Sequence, residues 1–592
     1  MRTPGHPGQP GVTVALTGLC GLLAVAAVLL AAGHTTSVLT GQPPPTGGLA
    51  DALTTLTSPT DPGSQLGSPT MSPWVYWSVV AGLLAGLGIA GGAVWRLANS
   101  IPSGPPVGTA TVADVRRVAS RRALLRRAGT LRPSLDRPVA ADVGYLLGRA
   151  RGREVWATVE DSILLLGPPR SGKGLHVVIN AVLDAPGAVI TTSTRPDTLN
   201  VTIAARQAVG PVAVFDPQHL ATRHDTGLRW SIVRGCELPH TAMVRAAGLA
   251  ASTGMGGGVV DGGFWEAKTR IAVQALLHAA ALDGRDARTV YQWALNPASA
   301  ADAVRILHTH PDAADGWADG LDAVITADPR TRDSIWHGVA LAVAALADPR
   351  VMHAVTPHPD EQFNPATFLR DGGTLYLLAT GTGATASAAL VAAFLEDLTE
   401  TARTLAATAP GNRLDPPVLL ALDEIGNLAP LPSLPTLMAE GGGTGITTMP
   451  VLQSMAQARS RWGDHAATAI WDAAIVKIIL GGGSNSRDLT DLSSLLGDRD
   501  EITSSTTTDA NGHRSHQRSV RRVPVMAPDA IRTLPFGTGL VLFRTAPPII
   551  TTLRPWTTRT DPTRRRGAVE PRRGPRRRQR TRRTGRRRAT RK

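Results

Sequence analysis

Gly167-Pro168-Pro169-Arg170-Ser171-Gly172-Lys173-Gly174 decides the fold of this chain. It follows the apolar run Ile163 to Leu166 and precedes the helix-prone Leu175 to Leu183, which is the strand–loop–helix context of a phosphate-binding P-loop. The glycines let backbone N–H groups turn toward a β-phosphate, Lys173 reaches the β/γ oxygens, and the helix behind them offers its positive end. With four lysines and 61 glycines in 592 residues, a lysine with glycine directly before it and again six before it arises by chance only about 0.04 times. Residues 167–174 are therefore expected to hold the phosphates of ATP. The motif ordinarily ends in Ser or Thr, whose hydroxyl ligates Mg2+; Gly174 stands here, so the metal must rely on water and on acidic residues elsewhere.

Such an acidic partner is expected at the end of a buried strand. Val418-Leu419-Leu420-Ala421-Leu422 running into Asp423-Glu424 has that form. Asp423 would hold Mg2+ through water and Glu424 would orient or deprotonate the attacking water, since phosphoryl transfer needs mainly positioning and charge neutralisation. A further strand, Thr444 to Leu452, ends at Gln453-Ser454. There Gln453 either senses the γ-phosphate or makes a helix-start hydrogen bond.

A chain of 592 residues implies several domains, and its net charge is +15. Residues 561–592 hold fifteen Arg and one Lys against Asp561 and Glu570, so nearly the whole excess sits in this tail. Without aromatic residues and with little aliphatic surface, it is expected to be disordered. It suits phosphate contacts on DNA, and anionic lipid or an acidic protein remain alternatives. The two cysteines, Cys20 and Cys236, fall in segments expected in different environments, which argues against a structural disulfide.

Val12 to Ala32 and Trp74 to Trp95 are uncharged apolar stretches long enough to span a bilayer. The segment from His34 to Ser72 has no Lys or Arg, whereas Arg96, Arg116, Arg117, Arg121, Arg122, Arg126 and Arg127 follow the second stretch. The positive-inside rule then makes the chain a multi-pass protein of the inner or plasma membrane, with the loop outside and the C-terminal part cytoplasmic. A cleaved signal peptide is the alternative for the first stretch, and it leaves the C-terminal part on the same side.

The expected organisation is a membrane anchor (1–100), an Arg-rich connector (101–150) with an amphipathic helix over Val112 to Ala128, a catalytic domain (151–560), and the tail (561–592). Within the catalytic domain, short β-prone runs at 188–192, 212–215, 373–380, 418–422, 446–452, 474–480 and 539–544 alternate with helical stretches, as in a parallel α/β sheet. Long Ala/Leu stretches over about 238–348 predict an inserted all-α domain, which explains the long interval from the P-loop to Asp423. Glu501 to Arg522 is polar and predicts a mobile hairpin or loop.

These features together resemble the type IV coupling proteins of bacterial conjugation, the TraG/TraD group with its TraM-recognition domain. The resemblance covers about residues 150–560. It rests on Gly167 to Gly174, Thr192-Ser-Thr-Arg-Pro-Asp-Thr-Leu199, Phe264-Trp265, Leu422-Asp-Glu-Ile-Gly-Asn-Leu428, Gln453-Ser454 and Pro535-Phe-Gly-Thr-Gly-Leu-Val-Leu542. The family is similar to this chain in carrying Gly after the P-loop lysine. What the resemblance implies is a RecA-like P-loop ATPase with an inserted all-α domain, anchored by two helices and assembled as a hexameric ring. It would bring a relaxase with single-stranded DNA to a type IV secretion channel. Ring ATPases commonly complete the site with a neighbour's arginine, for which Arg487 and Arg332 are the candidates. The Arg-rich tail is not part of the resemblance.

Two rival readings remain from sequence alone. One is an FtsK-like double-stranded DNA pump or a protein-secretion ATPase; the other is a membrane platform that recruits DNA or protein without hydrolysis. The first ordinarily carries a folded DNA-reading module at its C-terminus, where this chain has the basic tail. Intact Lys173, Asp423 and Glu424 weigh against the second.

Overall fold

The strands form where apolar runs end at glycine, proline or acidic residues. The computed structural model describes residues 10–100, 106–221, 227–255, 262–361, 363–380, 387–428, 430–508 and 514–559. The chain divides into two compact units, Met1–Gly104 and Pro105–Lys592. The Arg-rich tail lies outside the described residues.

In the smaller unit, Pro10–Thr40 and Pro73–Ser100 are helices, and the stretches Gly21–Thr40 and Pro73–Ala93 are long and apolar enough to cross a membrane. The first helix runs past Ala32, where its expected span ended, to Thr40. The hydroxyls of Thr35, Thr36 and Thr40 donate to carbonyls four residues back, so these polar residues are accommodated within the helix. The expected loop contains two short helices, Leu49–Thr54 and Pro62–Gln65, and buries Leu66 against Met71 and Tyr76.

The strands of the larger unit are β1 (Gly144–Ala150), β2 (Arg153–Thr158), β3 (Ile163–Leu166), β4 (Val189–Ser193), β5 (Val212–Phe215), β6 (Thr374–Leu378), β7 (Val418–Leu422), β8 (Ile446–Leu452), β9 (Val476–Leu480), β10 (Asp498–Thr508), β11 (Arg514–Pro524), β12 (Thr538–Phe543) and β13 (Ile549–Leu553). Eleven of them make one sheet in the order β2-β1-β13-β12-β9-β3-β8-β7-β4-β6-β5. From β9 to β5 the strands are parallel, and β12, β13, β1 and β2 continue the sheet antiparallel. Strands β4, β6, β7 and β8 are buried along their whole length, which is why they read as continuous apolar or Thr-rich runs rather than alternating ones. Leu166 pairs with Leu452, and Leu422 with both Thr192 and Pro450. The carboxyl ends of β3, β4, β7 and β8 therefore meet at one sheet edge, the usual place for a ligand in a parallel sheet.

Between β5 and β6 come the α-helices Pro239–Ala251, Gly262–Leu282, Ala287–Leu295, Ala301–Thr309, Trp317–Ile325, Pro329–Ala342, Pro349–Val355 and Pro365–Arg370. The run thus extends well beyond Asp348. Asp286, Asp328, Asp348 and Asn364 each accept first-turn N–H groups as N-caps, three of them followed directly by Pro. These repeated start signals divide an Ala/Leu-rich stretch into short helices. Helix Pro239–Ala251 packs on helix Ala388–Thr408, where a Cβ on Gly248 would lie 2.6 Å from Ala393 N. Buried Arg245 donates to both oxygens of Asp397 at 3.1 Å and stacks over Trp230.

One local expectation changes. The stretch Val112 to Ala128 is not one helix but Val112–Val118, Arg121–Leu125 and a further short helix starting at Ala128. Thr111 and Ser120 both act as N-caps, so the second cap restarts the helix inside the amphipathic run. Of the hairpin or loop expected over Glu501 to Arg522, the described residues show the hairpin, β10 paired antiparallel with β11 in register from Asp498↔Pro524 to Thr508↔Arg514, while residues 509–513 lie outside the described residues.

Candidate nucleotide site

Strand β3 ends at Leu166, and the loop reaches the helix at Gly174 through Arg170 at φ +62° and Gly172 at φ +90°. A Cβ on Gly172 would stand 2.7 Å from His176 Nδ1 and 3.0 Å from Phe536, so both backbone conformation and space require glycine there. Gly174 is different, since a Cβ there would meet nothing within 4 Å. Its difference from Ser or Thr is not imposed by packing. Lys173 is buried, and its Nζ donates to Gly167 O at 2.8 Å and Pro168 O at 3.2 Å, lying back across the loop.

At the end of β7, Thr192 Oγ1 donates to Asp423 O at 2.8 Å, tying the tip of β4 to the acidic pair. Asp423 Oδ1 is enclosed without a hydrogen-bond partner among the described residues, and so is Ser171 Oγ in the loop. Burial, and secondarily the adjacent Glu424 charge, push the Asp423 carboxyl up to about 6, while the Lys173 ammonium opposes the shift. Glu424 has φ +53°, an unusual left-handed conformation for a residue with a Cβ. Its Oε1 stands 3.8 Å from Lys173 Nζ.

The other Glu424 oxygen belongs to a closed ring of hydrogen bonds. Oε2 accepts Asn427 Nδ2 at 2.6 Å and Gln453 Nε2 at 3.1 Å. Gln457 Nε2 donates to Asn427 Oδ1 at 2.8 Å, and Gln457 Oε1 accepts the Gln453 backbone N–H at 2.8 Å. The backbone of Gln453 thus makes a helix-start hydrogen bond while its side chain holds Glu424. Asn427 and Gln457 were not identified from sequence. Asn427 stands in the Leu422 to Leu428 motif with no role assigned to it there, one helical turn after Glu424, and the signal for Gln457 is spacing alone, one turn after Gln453.

Beside the loop opens a cavity of about 640 Å³ whose lining includes Pro168, Gln453, Arg459, Trp471, Asp488 and Leu492. Arg459 pairs with Asp488, which also accepts Met455 N at 3.0 Å. Arg487 is not among the lining residues; its side chain is 72% exposed and lies 3.8 Å from Asp491. Arg332 sits in the helical insertion and donates to Asp333 at 2.9 Å. The single chain therefore does not bring either arginine to this cavity.

The loop, Lys173, Asp423 and Glu424 are a donor set that fits a nucleotide phosphate with its Mg2+: a buried ammonium, a turned glycine loop, and a buried carboxylate oxygen without a proton donor.

A family model described as the TraM recognition site of TraD and TraG matches residues 417–536, which include Asp423, Glu424 and Gln453. No curated protein matches the chain. Among solved structures, the bacterial conjugative coupling protein TrwBdeltaN70 in its unbound form aligns at 16% identity and TM-score 0.52, over 77% of this chain and 96% of that one. The plasmid coupling protein TrwB in complex with a non-hydrolysable ATP analogue aligns at 16% identity and TM-score 0.51, over 74% and 92%. Residues 417–536 are thus similar to the TraM recognition site of TraD and TraG, and the fold of the chain around them is similar to that of a conjugative coupling protein.

Proposed function

We propose that this chain is a membrane-anchored coupling-protein ATPase that passes DNA to a type IV secretion channel during conjugation. The observation that carries the reading is the convergence of Lys173, Asp423, Glu424 and Gln453 at one sheet edge, the last three inside the segment matched by the TraD and TraG model. The apolar helices Pro10–Thr40 and Pro73–Ser100 serve as the anchor in the inner or plasma membrane, with the larger unit on the cytoplasmic side. Relaxase-bound single-stranded DNA and the channel components are the partners.

In this mechanism Lys173 leaves the carbonyls of Gly167 and Pro168 and binds phosphate oxygens together with the loop N–H groups. Asp423 would hold Mg2+, which when bound would neutralise charge on the phosphates. Glu424 orients the attacking water and takes its proton. Asn427 and Gln453 fix the carboxylate that does this, and Gln453 relays a change at the phosphates to the helix beginning at Met455. Arg487 or Arg332 of a neighbouring copy supplies the missing cation in a hexameric ring, which also explains why neither reaches the site within one chain.

The test is ATP hydrolysis by the full chain in nanodiscs, with and without single- and double-stranded DNA. Stimulation by single-stranded DNA that is absent in Glu424→Gln is expected. Hydrolysis indifferent to DNA, in a preparation shown to be assembled, would sink the motor reading and favour the recruiting platform.

A further inference from the structure

An arginine-lined cleft lies away from the nucleotide loop, at the edge of the sheet. Its lining includes Arg116, Arg121, Arg122, Arg126, Arg149 and Arg153, and its volume is about 790 Å³. Local structure builds it. Helix Arg121–Leu125 buries Ala123 and Leu124, so Arg121 and Arg122 project outward. The β1–β2 hairpin presents Arg149 and Arg153 from the other side, and Trp156 N donates to Ala119 O at 2.8 Å, holding the helices against edge strand β2.

None of these six arginines has an ion-pair partner among the described residues, although the chain pairs many others. Arg117, the seventh arginine of the lining, is paired with Asp114 at 3.0 Å, and Arg127 nearby with Glu160. The lone carboxylate in the lining, Glu154, accepts Trp156 Nε1 at 3.0 Å. Crowding unpaired guanidinium groups into one cleft is self-repulsive, and a bound polyanion removes the penalty. Guanidinium forks match phosphate oxygens in pairs.

Two features choose among phosphate-bearing partners. The lining has no aromatic side chain, whereas single-stranded nucleic acid is typically held by stacking on aromatic rings. The cleft also begins shortly after the apolar helix Pro73–Ser100; the residues from Ser100 to Thr111 span at most about 40 Å when fully extended, so the chain tethers these arginines close to any membrane the helix enters. An adjoining depression lined by Arg121, Arg122, Leu125 and Arg126 adds an apolar contact. Clusters of basic residues just beyond a membrane helix are attracted to anionic headgroups.

We propose that this cleft binds the phosphate headgroups of anionic phospholipids, seating the motor unit on the membrane surface. The inference rests on the membrane anchoring proposed above, so the experiment separates the two.

The full chain is first extracted with alkaline carbonate from cell membranes. Retention in the membrane supports the anchor, and release overturns it and the lipid site with it. The full chain in uncharged detergent is then titrated with phosphatidylglycerol or phosphatidylcholine, with bound lipid read by native mass spectrometry. Binding of phosphatidylglycerol that falls at least tenfold in R121S/R122S/R149S/R153S, while melting in lipid-free detergent is unchanged, supports the cleft. A lysine version of the four positions should bind at an intermediate level, because charge remains and the paired geometry does not. Equal phosphatidylglycerol binding by wild type and the serine variant overturns the proposal. So does loss of affinity for a single-stranded oligonucleotide with lipid binding intact, which would make the cleft a nucleic-acid site.

Discussion

Lys173 Nζ lies 3.8 Å from Glu424 Oε1 while donating at 2.8 Å to Gly167 O, so one ammonium bridges the phosphate loop and the acidic tip of β7. Substituting either residue should separate binding from chemistry. Lys173→Ala should weaken nucleotide binding and lower hydrolysis by at least about 100-fold. Glu424→Gln should lower kcat by about 100- to 1,000-fold and leave nucleotide affinity nearly unchanged. Parallel steady-state kinetics and fluorescent-nucleotide titration check the split, and equal losses in both readouts for Glu424→Gln would contradict its role.

The ring joining Glu424, Asn427, Gln457 and Gln453 makes a second set of expectations. Asn427→Ala removes the donor to Glu424 Oε2 and the acceptor of Gln457 Nε2. Stability should drop by about 1–2 kcal/mol, and kcat should fall about tenfold as the carboxylate loses its fixed direction. Chemical denaturation and initial rates measure the two effects; an unchanged kcat would mean that Gln453 alone holds the carboxylate.

Asp423 gives a pH dependence whose sign is fixed. Its folded value of about 6 lies above the usual 3.8, so its favourable contribution is full below about 3.8 and is lost as pH rises through about 6. In the nucleotide-free protein at pH 7.5, Asp423→Asn should raise stability by about 1–2 kcal/mol, because a buried charge is replaced by a neutral amide. The gain should disappear near pH 4. Denaturation midpoints at pH 4, 6 and 7.5 would reveal it, and a gain that grew toward low pH would refute the assignment.

Arg245 and Asp397 join the helical insertion to helix Ala388–Thr408 through a buried two-pronged pair. Asp397→Ala should destabilise by about 3–5 kcal/mol, since it leaves the guanidinium buried without its counter-charge. Replacing both by apolar residues, Arg245→Met with Asp397→Leu, should recover much of the loss. A double variant as unstable as the sum of the single ones would show that the pair is not coupled.

Gly174 offers a final check on the loop. Space is open around it, so Gly174→Ser should fold with a melting temperature close to wild type and retain hydrolysis. By contrast, Gly172→Ala meets His176 and Phe536 and has φ +90°, and it should lose nucleotide binding. Thermal melts and nucleotide titration of the pair would distinguish a conformational requirement from a merely glycine-rich loop.

The sequence by itself determined the glycine-bearing strand–loop–helix turn, the acidic strand end, the parallel α/β core and the two apolar helices. These are local properties: a turn that needs glycine, a buried strand that needs an unbroken apolar run, and a helix that needs about 20 uncharged residues. Only the tertiary structure decided that Gln453 spends its side chain on Glu424, that Asn427 and Gln457 close the ring, and that seven arginines from two chain segments line one cleft. Each of these contacts joins residues brought together by strand order or helix packing, and spacing along the chain carries no record of which distant partner a polar side chain will meet. The division of Val112 to Ala128 into short helices shows the same limit at close range, because hydrophobic periodicity continued through Ser120 while the backbone followed its cap.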